Sequence, residues 1–316
     1  MDVEAAKIDF SKRNLVALAP LAGYTDLPFR HVAKKFGVDL TFSEMISANA
    51  LLHHSRKSRK MIEKSPLETP YIVQIAAGDE KVAREAVEIL NDIEGIDGID
   101  LNCGCPVPKV VSQNSGSSLL KDLDLLGRIV ETVKRYSNKR YTSVKARLGF
   151  NEKIPEAIAR TVESAGADFL TLHGRTRAGR YKAPVDYDAI ARAKAAVDIP
   201  VIANGDITSL QKVHEVLSVT QCDGVMIGRG AVGNPWIFWQ IKEERTFVDK
   251  SKILEVVLEH YDAMLRFYGD RGATIFRKHL HTYSKSFPNA SQFRDRINRI
   301  SDPAIIREMI VEFFSN

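Results

Sequence analysis

The chain has 316 residues, 44% of them apolar, and its 45 basic and 40 acidic side chains leave a net charge of +5. That length can bury a large core and exceeds one short domain, while the charge is too small to demand a polyanionic partner yet permits one. No run approaches the ~20 apolar residues of a membrane helix, and residues 1–12 alternate charged and apolar types without a signal-peptide core; a cytoplasmic protein with no membrane partner is expected.

Runs rich in Val, Ile, Leu and Ala recur at 15–19, 38–42, 71–75, 98–101, 142–146, 168–172, 200–203 and 224–227, giving eight predicted strands. Helical periodicity separates most of them. Pro155, Ile158 and Val162 before Gly166, for example, place a proline at a helix start and a glycine at its stop. Alternating strand and helix implies a parallel sheet. Eight units within roughly 230 residues fit an α/β fold of the (β/α)8 TIM-barrel kind, typically about 250 residues, better than an open doubly wound sheet.

After Trp239 the pattern changes. Leu254, Val257, Leu258, Tyr261 and Leu265, then Ile305, Ile306, Met309, Ile310 and Phe313, follow helical spacing, and no further strand appears. The expected organisation is a barrel over 1–245 and an all-helical domain over 246–316.

Three cysteines, Cys103, Cys105 and Cys222, cannot build a disulfide framework. Cys103 and Cys105 are too close for a relaxed bridge and lack the repeated spacing of a zinc site, so reduced thiols and no metal are expected. Cys105 ends the run Leu101-Asn102-Cys103-Gly104-Cys105-Pro106 just past a predicted strand. A nucleophile, a metal ligand and a core residue are all open readings of it.

Barrel enzymes carry their sites at the carboxyl ends of the strands. Here those ends hold Pro20, Leu21 and Ala22; Ser43 and Glu44; Gln74; Asn102 and Cys105; Lys145 and Arg147; His173; Asn204-Gly205-Asp206; and Gly228-Arg229-Gly230. The last two clusters fall after strands seven and eight, where backbone N–H groups and an arginine commonly hold phosphate. Lys145 and Arg147 alternate on one strand and share a side, and two cations in a barrel mouth need an anionic ligand. A phosphorylated cofactor whose reduced ring carries negative charge suits Lys145, which points to a flavin.

A basic surface is also predicted. Arg277, Lys278, Lys285, Arg294, Arg296 and Arg299 face a single acid, Asp295, with Phe276, Tyr283, Phe287 and Phe293 interleaved. Alone this run reads equally as a solvated helix face with core aromatics; with Arg56-Lys57-Ser58-Arg59-Lys60 and Arg175, Arg177, Arg180 and Lys182, a phosphate-tracking surface is the better reading.

Taken together, Ala19-Pro20-Leu21-Ala22-Gly23-Tyr24-Thr25-Asp26-Leu27-Pro28-Phe29-Arg30, Ser43-Glu44-Met45, Leu101 to Pro106, Val144-Lys145-Ala146-Arg147-Leu148-Gly149, His173-Gly174-Arg175-Thr176-Arg177, Asn204-Gly205-Asp206-Ile207, Ile227-Gly228-Arg229-Gly230 and Arg277-Lys278-His279-Leu280 resemble the tRNA dihydrouridine synthases of the bacterial, DusB-like type. The resemblance covers nearly the whole chain. It implies an FMN-bound barrel, a helical tRNA-binding domain, and reduction of specific tRNA uridines to 5,6-dihydrouridine with NADPH, or NADH, as hydride donor; a monomer suffices.

Carried over by motif, Pro20, Leu21 and Ala22 line the flavin, Gln74 and Lys145 bond its ring or ribityl chain, and His173 contacts it. Asn204, Gly205, Asp206, Gly228 and Arg229 hold the phosphate, and Asn102, Arg147 and Tyr181 face the uracil. Arg177, Arg277, Lys278 and Arg294 are the implied tRNA contacts. Cys105 becomes the acid that protonates C5 after hydride reaches C6, a role open to a thiol with an ordinary pKa near ~8.5. Leu21 stands where methionine is frequent, Cys103 adds a second thiol, and Tyr181-Lys182-Ala183-Pro184 lacks a glycine often found there. Two other readings are an FMN barrel acting on a free pyrimidine, like a dihydroorotate dehydrogenase, and a non-catalytic RNA-binding protein; neither needs both the thiol and the basic tail.

Overall fold

The computed structural model describes residues 7–11, 14–53, 55–246 and 248–315. Each of the eight predicted runs contributes a strand: β1 (Leu15–Leu18), β2 (Thr41–Phe42), β4 (Tyr71–Ala76), β5 (Gly98–Cys103), β6 (Tyr141–Arg147), β7 (Phe169–His173), β8 (Val201–Asn204) and β9 (Gly224–Ile227). An unpredicted two-residue strand, β3 (Ile46–Ser47), resumes past the Ser43-Glu44 break and also pairs with β4. All pairings are parallel, in the order β1-β9-β8-β7-β6-β5-β4-β2. A bridge between Ala17 and Leu40, with Leu18 N–H donating to Leu40 O at 2.9 Å, brings the ends together into a nearly closed (β/α)8 barrel.

Period-two alternation sorts each strand between two environments. Val73, Ile75, Ile99, Leu101, Cys103, Val144 and Ala146 join the layer between sheet and helices. Leu15, Ala17, Leu40, Phe42, Ile72, Tyr141, Phe169, Ile202 and Met226 fill the barrel axis. Higher up, the inward positions turn polar: Gln74, Asp100, Ser143 and Thr171, then Asn102, Lys145, His173 and Asn204. An apolar floor thus supports a polar carboxyl end. The surrounding helices use the anticipated signals, as where Pro155–Ser164 starts on its proline and Gly166 follows at φ 84°.

Beyond the last strand come helices Lys250–Tyr268, Arg271–Tyr283, Ala290–Ile297 and Pro303–Phe314. Their core is separate, built on Val257, Tyr261, Met264, Phe276, Leu280, Ile306 and Ile310. Ile305 departs from the expected stripe and is exposed. Lys250–Tyr268 packs on Leu27–Lys35, the first helix of the barrel. Between them Asp26, His260 and His279 are buried, with an oxygen and two ring nitrogens all within 4.8 Å of one another. Asp26 accepts from Phe29 N–H and Tyr268 O–H, His260 Nδ1 pairs with Tyr283 Oη, and His279 stacks on Phe29. At the other contact a Cβ on Gly233 would lie 2.7 Å from Thr282 Cβ, so the close approach requires glycine there.

Candidate active site

The carboxyl end of the barrel is organised around Cys105. Its loop is held from three sides. Asn102 Oδ1 accepts from the N–H groups of Gly104, at 3.1 Å, and Cys105, at 2.9 Å. Ser117 donates to Cys105 O through both its N–H, at 3.1 Å, and its hydroxyl, at 2.8 Å. Arg147 Nε donates to Gly104 O at 2.9 Å. Gly116, at φ 61°, lets the neighbouring turn approach, since a Cβ there would sit 3.2 Å from that of Cys105.

Cys105 is half-buried, whereas Cys103 and Cys222 are buried. Burial pushes the Cys105 thiol above its ordinary value, against the smaller opposing pulls of the Val107 N–H and the Arg147 charge. The thiol is therefore protonated at neutrality. Cys103 lies in the layer between sheet and helices, directed away from the barrel axis.

Lys145 and Arg147 both face the barrel mouth, as their alternation predicts. Lys145 Nζ donates to Asn204 Oδ1 at 2.9 Å, and burial, then Arg147, lower its pKa to about 8. Besides Gly104 O, Arg147 reaches the carbonyls of Thr176 and Arg180, each at 3.1 Å, tying the Cys105 loop to the loop after β7. His173 is driven down to about 2 by burial and the neighbouring Lys145, Arg147 and Arg175, so it is neutral. Its Nδ1 is buried without a protein partner. Tyr181 reaches over this group, its ring 5.5 Å from the Arg147 guanidinium and 4.7 Å from that of Arg229.

The remaining residues fall into place around that centre. Pro20 and Leu21 are half-buried and Ala22 is exposed at the rim. Gly228 packs beneath them, a Cβ there falling 3.4 Å from Ala19 Cβ and 3.7 Å from the Leu21 methyls. Gly205 is buried at φ 133°. Asp206 accepts from Arg175, at 2.5 and 3.1 Å, and from Arg229, at 2.6 Å; these cations keep its carboxyl below the usual range. Asn204 turns inward to Lys145 and to Met226 O. Gln74 is also enclosed, bonded to Asp100 and Asn102.

Several basic residues differ from the phosphate-tracking surface expected of them. Arg175 is buried and paired with Asp206. Lys60 donates to Phe267 O at 2.6 Å and lies over the Phe267 ring, tying the barrel to the helical region. Arg277 bonds Ile300 O, closing off the end of its own bundle. These side chains are held by protein carbonyls, carboxylates and rings, which no inspection of a basic run reveals. Lys278, by contrast, leans towards the rim with its ammonium 5.3 Å from the Tyr24 ring centre. Arg294 is half-buried on Ala290–Ile297, and Arg177 lies over Phe150 with its Nε buried.

Asp100, Ser143, Gly116 and Ser117 were not anticipated. Asp100 and Ser143 had a signal: each stands two residues before an anticipated site residue, Asn102 and Lys145, on the same face of a strand.

A nearly closed parallel barrel with its polar residues gathered at the carboxyl end belongs to the large class of TIM-barrel proteins. A family model described as "Dihydrouridine synthase (Dus)" matches residues 17–315. A "Probable tRNA-dihydrouridine synthase" of Helicobacter pylori is 50% identical over 309 residues, covering 98% of this chain and 94% of that protein. The "tRNA-dihydrouridine synthase B" of Pseudomonas syringae pv. tomato is 40% identical, covering 97% and 93%. The chain belongs to the dihydrouridine synthase family. Among solved structures, TcOYE with pHBA shares the fold at a TM-score of 0.55 and 10% identity, covering 81% of this chain and 95% of that one.

Proposed function

We propose that this protein reduces the C5–C6 bond of specific tRNA uridines to 5,6-dihydrouridine, with FMN as bound cofactor and NADPH as reductant. The observation that carries the proposal is the half-buried Cys105 thiol on a loop tied to Asn102 and Arg147 at the carboxyl end of the barrel, where Lys145 and His173 lie towards the ends of the next two strands.

The residues fit a flavin mononucleotide. His173 Nδ1 is a buried polar atom lacking a partner, and Lys145 is a partly desolvated cation whose hydrogen-bond acceptor, Asn204, is neutral. Each is relieved by an anionic, hydrogen-bonding ring system. Pro20, Leu21 and Ala22 line one side, and Gln74 adds an amide. Gly228, half-buried and without a side chain, leaves backbone open to a phosphate, with Arg229, oriented by Asp206, as its countercharge; Gly205 itself is buried. Bound and reduced, FMN supplies hydride to C6 of the uracil.

The chain's own part is proton delivery and placement. Cys105 Sγ–H gives its proton to C5, where negative charge gathers once C6 is reduced. Asn102, Arg147 and Tyr181 position the base, which must leave its stack to enter the mouth. The division into a catalytic unit over 1–245 and a tRNA-binding unit over 246–316 follows the change of core. Lys278, Arg294 and Arg177 provide positive potential towards the RNA, whereas Arg277 is taken up by Ile300 O within the bundle. One polypeptide suffices for all these roles.

The test is NADPH and unmodified tRNA incubated with flavin-loaded protein, followed by mass spectrometry of the nucleosides. Dihydrouridine is the expected product. Its absence across a panel of tRNAs, with folded and flavin-loaded protein, rejects the proposal.

A further inference from the structure

We propose that Asp100 is a positioning residue that sets, through Gln74 and Asn102, the orientation of the backbone carrying Cys105; this deepens the reading of Cys105 as the acid. Asp100 lies inside the barrel one layer below the site and is fully buried, touching neither the thiol nor the mouth. Its Oδ1 accepts from the Ser143 hydroxyl at 2.6 Å and its Oδ2 from Gln74 Nε2 at 2.8 Å. Gln74 Oε1 then accepts from Asn102 Nδ2 at 2.8 Å, leaving Asn102 Oδ1 for the N–H groups of Gly104 and Cys105.

The chain of bonds has a direction. An amide has one donating and one accepting end, whereas an ionised carboxylate only accepts. Asp100 therefore fixes which way Gln74 faces, and Gln74 fixes Asn102. With Gln74 and Asn102 reversed, an NH2 group would meet the two backbone donors of the Cys105 loop. Each buried donor left unpaired costs about 1–3 kcal/mol, so the loop would move. Displacement of a reacting group by about 1 Å can cost ~100-fold in rate.

Asp100→Leu removes the acceptor, while Asp100→Asn can still present its oxygen to Gln74 and its NH2 to Ser143 Oγ. Iodoacetamide reports on the loop directly, because Cys103 and Cys222 are buried and Cys105 is the accessible thiol. In Asp100→Leu the alkylation rate of Cys105 should change by at least ~5-fold and dihydrouridine formation should fall ~100-fold. Asp100→Asn should restore both to within about threefold of wild type. Wild-type alkylation and turnover in folded Asp100→Leu would overturn the proposal, as would equal impairment of the two variants. If Asp100→Leu does not fold, Gln74→Met breaks the same chain of bonds one step later; an unchanged alkylation rate there overturns the proposal too. Should the wild-type protein form no dihydrouridine, the functional reading fails, while alkylation still decides the role of Asp100.

Discussion

Lys145 on β6 donates to Asn204 on β8 at 2.9 Å, spanning the intervening β7 at the carboxyl end of the barrel. Asn204 is held for this by donating its own amide to Met226 O at 2.7 Å. The ammonium thus has a neutral hydrogen-bond acceptor, and burial, then Arg147, outweigh the opposing pull of the Asp100 carboxylate and take its pKa to about 8. The protonated form binds an anion best. Flavin affinity should therefore be level below about pH 8 and weaken above it, by up to tenfold per pH unit, as Lys145 loses its proton in the free protein. Fluorescence titration of apoprotein with FMN between pH 6.5 and 9.5 measures this, and Lys145→Met should bind weakly with no such inflection. A level wild-type profile counts against the assignment.

Cys105→Ala should keep its fold and flavin but lose ~100-fold or more of its turnover, the ordinary contribution of a general acid. Because the thiol is raised by burial, wild-type turnover should hold through neutrality and fall only on the alkaline side of the ordinary thiol range. Single-turnover reduction of tRNA by pre-reduced enzyme isolates this step. Loss of flavin in the alanine variant would assign Cys105 a structural part instead.

Arg229 is exposed, and its protein contacts are a surface ion pair with Asp206 and the Tyr181 ring, so its removal should cost ligand far more than fold. Charge-assisted contacts contribute about 1.5–3 kcal/mol. Arg229→Ala should accordingly weaken FMN by ~10- to 100-fold while leaving riboflavin, which lacks the phosphate, unaffected. Equal weakening of both ligands would place Arg229 away from the phosphate.

The strands were legible because each is a short β-branched run between helical patterns, and burial on both faces leaves that signature unblurred. Among the described residues only β3 escaped: its two residues follow Ser43-Glu44, whereas the equally short β2 ends a five-residue run at 38–42. The inward cluster of Asn102, Lys145, Arg147 and His173 was legible for the same reason, from its phase at the strand ends. Asp100 and Ser143 share that phase but stand within runs read as apolar. What sequence could not supply is where long cationic side chains fold back. Lys60 on Phe267, Arg175 on Asp206 and Arg277 on Ile300 each join segments far apart in the chain.

The buried histidines predict an acid limb of stability. Burial lowers His173 to about 2, His260 to about 3, and His279 well below its ordinary value. The unfolded chain takes up protons at these sites below about pH 6.5 that the folded one refuses, so stability is lost as pH falls. Asp26 and Asp100, raised by burial to about 6, act in the opposite sense, binding protons in the fold before the unfolded chain does. Between pH 6 and 5 the unfolded histidines are almost fully protonated while the two carboxylates only partly offset them, so stability should decline across that interval. Urea unfolding across that window should show the decline, and His279→Gln should flatten it. A steady gain in stability on acidification would contradict the neutral histidines.

Neighbouring residues Arg277 and Lys278 should separate stability from tRNA binding. Arg277 is bonded to Ile300 O and its Nε is buried, so Arg277→Ala should lower the melting temperature by a few degrees through a lost internal tie. Lys278 leans on Tyr24 at the rim, next to the mouth that an extruded base must enter. Lys278→Ala should leave melting unchanged and raise the tRNA dissociation constant by ~3- to 10-fold. The slope of log affinity against log salt should drop by about one charge, as expected for one lost phosphate contact. Filter binding at several salt concentrations, paired with thermal melts, tests both halves. Destabilised Lys278→Ala with wild-type tRNA affinity would make that lysine a strut between barrel and helices, not part of the RNA surface.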